Sequence, residues 1–478
     1  MLRWPKHQGG KTIMWLPDID LSGETGPKYK ALVEAIITDI ESGRLRHDVR
    51  MPTHRELAYR LKVSVQTVSA AYKEVERQGY LRSERRRGTF VQARLTDRAS
   101  SFILDSRQPD LVDLSIVRAA YTDFHNDLSR QMHAKLADEP HHGWMESCRP
   151  VAGFDYHRDI GRNWLSGMGV DVEIPNLLIT NGAAQGVFTA LSTVIQPDDV
   201  VLTESLTDHG VIGSASILRF KLGALPTDDE GILPDAFEHE CRTRQIRALV
   251  VTPIFTNPTN CLMGLERRKR IAEIAEHYGV YVIEDDVYRP LLEENLPPIT
   301  SFMPKLGFHV SSLTKAVMPG LRTGFLAVPA HLSIRASSVL RVTGWMGTPL
   351  MAEIGARWIA DGTVDQAVTV QRALMRERQA LVADILGDAV VRHHPTSLSA
   401  WVRIPEHWQE EWFASELRKN GVAVTISDPF MTVKVPRPNA MRICLGGAPD
   451  TPTVQHALMQ IRHTMDQMPG VHAFDVMY

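Results

Sequence analysis

Ser311-Ser-Leu-Thr-Lys-Ala-Val-Met-Pro-Gly-Leu-Arg-Thr-Gly324 sets one lysine, Lys315, among small and hydroxylic residues, with Arg322 seven positions on, past a Pro-Gly bend. An isolated lysine is usually a solvated surface charge. A lysine in an apolar, hydroxyl-bearing run loses water, its pKa falls toward that of a nucleophilic amine, and it can form a Schiff base with an aldehyde. The neighbouring hydroxyls and guanidinium can meanwhile hold a phosphate. Working back from this stretch, strand-like runs at 176–180, 200–204, 248–252 and 280–284 alternate with helical stretches. That alternation predicts an α/β domain with a mainly parallel sheet, whose ligands sit at the carboxyl ends of the strands.

Each of these strand ends carries a candidate. In I-T-N-G-A-A-Q-G-V-F (179–188), Asn181-Gly182 turns into a helix whose free N–H groups can bind a phosphate dianion. Glycine-rich helix starts are common and often structural, so the order of the later segments gives this one its weight. P-I-F-T-N-P-T-N (253–260) and I-E-D-D-V-Y (283–288) follow, the second with Asp285 at a strand end and Tyr288 three residues on. N-A-M-R-I-C-L (439–445) presents Arg442, whose planar guanidinium suits either a ligand carboxylate or a structural ion pair.

The first hundred residues have a different character. Tyr29, Leu32, Val33, Ile36, Ile37 and Ile40 fall on one helical face ending near Gly43. Thr53 with Glu56 forms a capping box opening a second helix with core residues Leu57, Ala58 and Leu61. After the turn Lys62-Val63-Ser64, a third helix capped by Ser64 and stopped at Gly79 buries Val65, Val68, Tyr72 and Val75. Strands at 80–82 and 89–91 flank S-E-R-R-R-G, a wing whose arginines can reach phosphate or the minor groove. Charge agrees with this division. Residues 1–98 hold 19 Lys and Arg against 12 Asp and Glu, and the remainder 34 against 44, within a total of −3. The N-terminal part is the part expected to meet a polyanion.

A length of 478 residues with 44% hydrophobic content implies two or three domains. The segment 1–14 lacks the apolar core of a signal peptide and no run is long enough to span a bilayer, so no membrane and a cytoplasmic location are expected. Cys148, Cys241, Cys261 and Cys444 show no C-x-x-C spacing, and neither His141-His142 nor His393-His394 joins an i, i+4 ligand pair; no metal is expected.

The segments M-P-T-H-R-E-L-A, V-S-V-Q-T-V-S-A-A-Y, G-Y-L and R-G-T-F-V resemble the GntR family over residues 27–92. The resemblance implies a winged helix-turn-helix in which Thr53, Arg55, Gln66, Thr67 and Gly88, with Ser64, Tyr72 and Arg87, contact DNA. Gln66 stands where the family usually has arginine, which favours adenine over guanine at that position. Residues 110–465 resemble the fold-type I aminotransferases, which bind pyridoxal 5′-phosphate and carry a smaller α+β C-terminal subdomain. By that resemblance Lys315 forms the Schiff base, and Gly182, Ala183, Ala184, Gln185, Ser312 and Arg322 hold the phosphate. Asp285 pairs with the pyridine nitrogen, and Asn257 and Tyr288 reach the 3′-oxygen. Asn260 stands at the family's usual glycine, a change the turn is expected to tolerate. In T-E-S-L-T-D-H-G (203–210) the family's stacking aromatic is missing; His209 is the candidate to stack, and Trp144 replaces the aromatic of a partner-crossing segment.

The two resemblances together are those of a MocR-type transcriptional regulator. They imply an N-terminal extension (1–26), the winged helix-turn-helix (27–92), a linker (93–110) and an aminotransferase-like part (111–478). That part is large over about 150–330 and small mostly over 345–478. The implied partners are a homodimer, a double-stranded operator with paired half-sites, and a small amino compound. That effector would take the place of Lys315 on the cofactor in an external aldimine, while its acidic group meets Arg442. Sensing rather than turnover is the expectation; an active aminotransferase with a DNA-binding appendage is the alternative.

Overall fold

The computed structural model describes residues 15, 28–41, 44–45, 49–77, 80–84, 88–91, 111–138, 143, 146–432 and 437–469. Trp144, Arg87, Gly79 and the expected linker 93–110 lie outside the described residues. The chain divides into two units, residues 1–104 with 470–478, and residues 105–469.

In the first unit, α1 (Lys28–Glu41), α2 (His54–Leu61) and α3 (Val65–Arg77) enclose one core with the wing strands β1 (Leu81–Glu84) and β2 (Gly88–Val91). The capping box at α2 is formed: Glu56 N–H donates to Thr53 Oγ1 at 3.3 Å and Thr53 N–H to Glu56 Oε2 at 2.9 Å. Lys62, at φ +52°, ends α2 in the left-handed conformation and so turns the chain sharply into α3. Ser64 Oγ then accepts from Thr67 N–H at 3.1 Å, capping α3. Leu32, Ile36, Leu57, Val68, Ala71 and Val75 are fully buried. Val65 is not: it is 46% exposed, because the first turn of α3 points this position away from the core that Val68 enters. The wing pairs antiparallel, Leu81 opposite Val91.

The second unit is built on a seven-stranded sheet: β4 (Leu177–Asn181), β12 (Thr323–Ala327), β11 (Gly307–Ser312), β10 (Tyr281–Asp285), β9 (Ala248–Val251), β5 (Val200–Glu204) and β6 (Lys221–Leu225), in that spatial order. Only β12 runs against its neighbours. Period-two alternation sends Val201, Val250, Ile283 and Phe308 to one face and Leu202, Leu249, Val251 and Val282 to the other. Both faces are therefore apolar and covered by helices, which is why these strands read as continuous hydrophobic runs. The parallel strands all finish at one edge, bringing Asn181, Glu204, Val251, Asp285 and Ser312 together.

A hairpin of β7 (Thr227–Asp228) and β8 (Gly231–Ile232) lies outside this sheet. A second sheet orders β13 (Val390–Arg392), β14 (Ser399–Arg403), β17 (Ala440–Cys444) and β16 (Thr425–Ile426), all antiparallel. The short strand β3 (Val112–Asp113) pairs in parallel with β15 (Val422–Ala423), so the chain enters this unit on the small subdomain's side. From β3 the chain passes Ser115 and Val117, and on either side of them its backbone at Asp113 and Arg118 presses against Gly447 and Gly446. A Cβ on Gly446 would lie 1.8 Å from the Arg118 carbonyl oxygen, and one on Gly447 2.0 Å from that of Asp113. Gly446→Ala is thus expected to force the 113–118 segment off its seat and lower the melting temperature of this unit by several degrees, about 1–3 kcal/mol of overpacking. Calorimetry of the full chain checks this. No helix among the described residues is long and apolar enough to cross a membrane.

Candidate functional site

At the shared strand edge lies a cavity of about 300 Å³, within the range of small-ligand sites. Lys315, Asp285, Asn257, Tyr288, Ser312 and Arg322 all line it, as do Ala183, Ala184, Asp208 and His209. The loops behind it carry unusual backbone. Phe255 and Asn260 between β9 and β10, and Arg322 before β12, have positive φ (+50°, +60° and +47°). Such conformations cost of order 1–3 kcal/mol each in L-residues and persist where the surroundings impose them.

Asn260 is the informative one. Its left-handed φ is what glycine supplies at no cost and asparagine tolerates. Its amide also does what glycine cannot: Nδ2 donates to the Ser399 carbonyl at 3.2 Å and Oδ1 accepts from Ser397 Oγ at 2.6 Å, tying the Asn257 loop to β14. Arg322 folds over the start of the helix Ala183–Val194, where a Cβ on Gly182 would lie 2.8 Å from its Nη2. Gly182, at φ +80°, leaves that approach open, so the N-terminal N–H groups and a guanidinium converge on one spot. Gln185 does not line the cavity; its Oε1 accepts from Asn181 N–H at 2.7 Å and so braces the turn into the helix. Ser312 Oγ donates to the Thr323 carbonyl at 2.9 Å and accepts from Thr314 N–H at 3.1 Å.

Lys315 Nζ donates to the Val117 carbonyl at 2.6 Å. Burial pushes its pKa down, opposed chiefly by the charge of Asp208. Asp285, whose Oδ1 is buried without a hydrogen-bond partner, is pushed up to about 7, first by burial and then by Asp208. Its neighbour Asp286 is fully buried and accepts from Arg289 and from His309 Nε2, so the anchoring carboxylate is Asp286 and the one left for the cavity is Asp285. Burial also raises the Tyr288 hydroxyl, keeping it a proton donor.

The Asp285 shift has a testable sign. A folded-state value raised above the ordinary 3.8 means the folded chain binds more protons than the unfolded between about pH 4 and 7. Stability from neutral Asp285 is present at pH 4 and lost as pH rises through 7. Asp285→Asn should match wild type at pH 4 and exceed it above pH 7 in thermal unfolding without added ligand.

Arg442, on β17, is 4% exposed and is not part of the cavity wall. Its Nη1 donates to Asn257 Oδ1 and its Nη2 to the Ser115 carbonyl at 2.6 Å; Nε has no partner. The guanidinium is thus braced by an amide and a backbone carbonyl and not by a carboxylate, behind Asn257, which itself lines the cavity. His209 opens the helix His209–Leu218 and sits on the cavity wall. The residue that sequence reasoning left out is Asp208. It caps that helix through Gly210 N–H at 2.7 Å and takes Asn257 Nδ2–H at 2.7 Å. The signal was present: an aspartate two residues before glycine at a helix start is an N-cap.

In the first unit Thr53, Arg55, Ser64 and Gln66 are exposed and Thr67 is half-buried, along α2 and the start of α3. Gly88, at φ +115°, opens β2 beside Arg50. Tyr72 takes the core place its helical spacing implies, not the DNA-contacting one the resemblance implies. It is 3% exposed and its hydroxyl donates to the Pro52 carbonyl at 2.9 Å, so it belongs to the core and braces the α2 entry instead of facing DNA. Among the described residues, no group of three or more His, Cys, Asp or Glu could hold a metal ion.

Residues 125–461 match the family model for aminotransferase class I and II. The chain belongs to that family. Residues 28–91 match the gntR family of bacterial regulatory proteins, and the pairing of the two domains is the MocR-type arrangement. The HTH-type transcriptional regulator YdeF of Bacillus subtilis is 26% identical over 95% of this chain and 98% of its own. The probable rhizopine catabolism regulatory protein MocR of Rhizobium meliloti is 25% identical over 80% of each chain. In fold, the second unit is similar to Pyrococcus horikoshii kynurenine aminotransferase, solved in complex with PMP. The TM-score is 0.67 at 18% identity, over 78% of this chain and 95% of that one. The aminotransferase family is thus joined here to a regulatory domain.

Proposed function

We propose that this protein is a DNA-binding transcriptional regulator that holds pyridoxal 5′-phosphate in its aminotransferase-like unit and responds to a small primary amine. The observation that carries this is the meeting of Lys315 with Asp285 in one cavity, on a chain that also bears a helix-turn-helix. Dimerisation alone would require neither group.

The residues fit the cofactor. The unpartnered Asp285 Oδ1 suits a protonated ring nitrogen, and a Cβ at Gly182 would fill the space Arg322 occupies beside the helix start. The helix N–H groups at Ala183 and Ala184, the Ser312 and Thr314 hydroxyls and Arg322 would hold the phosphate. Asn257 and Tyr288 would donate to the ring oxygen. Bound there, pyridoxal 5′-phosphate supplies a carbonyl carbon that exchanges one amine for another. The chain's own part is to keep Lys315 desolvated, hold the Asp285 side in place and exclude water. Arg442 is the candidate for an acidic group on the effector.

An effector shifts DNA binding only if it favours one arrangement of the protein over another. A homodimer presenting two winged helices to paired half-sites, with salt-dependent affinity, completes the reading. The test is operator binding by the cofactor-loaded full chain, titrated with candidate amines while keto acid is assayed. A change in DNA affinity without sustained keto-acid release is expected. Sustained release with unchanged DNA affinity would instead establish the aminotransferase alternative.

A further inference from the structure

We propose that Asp208 reads a second, cationic nitrogen on the effector, so that the preferred ligand is a diamino compound over a monoamine of the same shape. This rests on the sensing role proposed above and specifies the ligand class of that same cavity.

The cavity holds two carboxylates with opposite fates. Asp285 is driven toward its neutral form by burial and by its neighbour's charge. Asp208 is held in its charged form: burial opposes this, but His209, the Gly210 N–H, Lys315 and Arg442 outweigh it. When two acids in one site are pushed apart in this way, each has a separate task. Asp208 is therefore the standing negative charge of the pocket.

That charge is open to a ligand. The Asp208 side chain is 36% exposed, and its oxygens accept one bond from Gly210 N–H and one from Asn257 Nδ2–H, each 2.7 Å. A carboxylate accepts about four hydrogen bonds, so capacity remains. His209 Nδ1 stands 3.8 Å away and is itself part-exposed. Arg442 reaches Asp208 only through the Asn257 amide. His209 comes first among the cations whose field holds Asp208 ionised, with Lys315 and Arg442 after it, and none of the three donates a hydrogen bond to it directly among the described contacts. A carboxylate on the cavity wall whose water is displaced by a ligand that offers no partner is left short of compensation, which is costly. An ammonium or guanidinium on the effector restores the balance; a methyl group at the same place does not.

The experiment uses the full-length protein loaded with pyridoxal 5′-phosphate and isosteric pairs: ornithine against norleucine, and butane-1,4-diamine against pentylamine. Apparent Kd is read from the visible absorbance change. Within each pair the diamino member is expected to bind about tenfold tighter, the worth of one partly buried ion pair. In Asp208→Asn, which keeps an N-cap oxygen, the ratio within each pair should fall to about one. Equal Kd values within both wild-type pairs, or a preference that persists in Asp208→Asn, would overturn the assignment and leave the sensing role standing. No absorbance change with any of the four compounds would overturn the sensing role itself.

Discussion

Lys315→Ala is expected to erase the visible band that borohydride removes from the cofactor-loaded wild type, and with it every effector-dependent change in DNA affinity. Among the described residues lining the cavity, Lys315 alone carries an aliphatic amine, so no neighbour can substitute. The loss should be complete on both readouts, since a covalent link either forms or does not. Unfolding is the trivial explanation to exclude. The substitution leaves the buried Val117 carbonyl without its donor, about 1–3 kcal/mol, and circular dichroism with basal operator binding will show that the variant remains folded. Operator binding that still responds to the amine in Lys315→Ala would defeat the proposed sensing chemistry.

The second large effect is expected on DNA. Gln66 is exposed at the start of α3, and the resemblance gives its amide a base edge to read. Gln66→Arg should shift the preferred base from adenine to guanine at one position per half-site, with discrimination of about 1–3 kcal/mol. Arg55→Ala, by contrast, should weaken all sequences nearly alike and lower the salt slope of binding by about one. Fluorescence anisotropy against operator variants at several salt concentrations separates the two. An Arg55 effect confined to one base pair, or a Gln66 effect uniform over all of them, would reverse the assignments.

Much of this architecture is legible because it rests on periodicity and capping, which are local. The capping box of Thr53 and Glu56, the buried stripe of α1 and the strand runs 200–204 and 280–284, the second one residue short of the observed strand end at Asp285, follow from spacing alone. The misreadings have physical causes. Val65 has the right periodicity, but the first turn of a helix faces the core only partly. Tyr72 has an aromatic body that packs and a polar tip that found a carbonyl, and sequence does not distinguish that from a tip awaiting a ligand. Asp208 carries only an N-cap signal in sequence, and its place on the cavity wall depends on Asn257, 49 residues away. The carbonyls of Ser115 and Val117 could not have been found at all, since backbone acceptors carry no side-chain signature and come to Arg442 and Lys315 from some 200–330 residues away in sequence.

The bond from Lys315 to the Val117 carbonyl makes the lysine a structural donor before it is a reagent. Val117 is 6% exposed, so withdrawing that donor costs about 1–3 kcal/mol unless another takes its place. A penalty of that size is equivalent to about a 5–150-fold change in an equilibrium. Val117 also lies 26 residues beyond Val91, where the described wing ends, and near the start of the second unit. How firmly the 113–118 segment is held thus depends on whether Lys315 keeps that carbonyl, so the lysine's commitment is written into the backbone beside it.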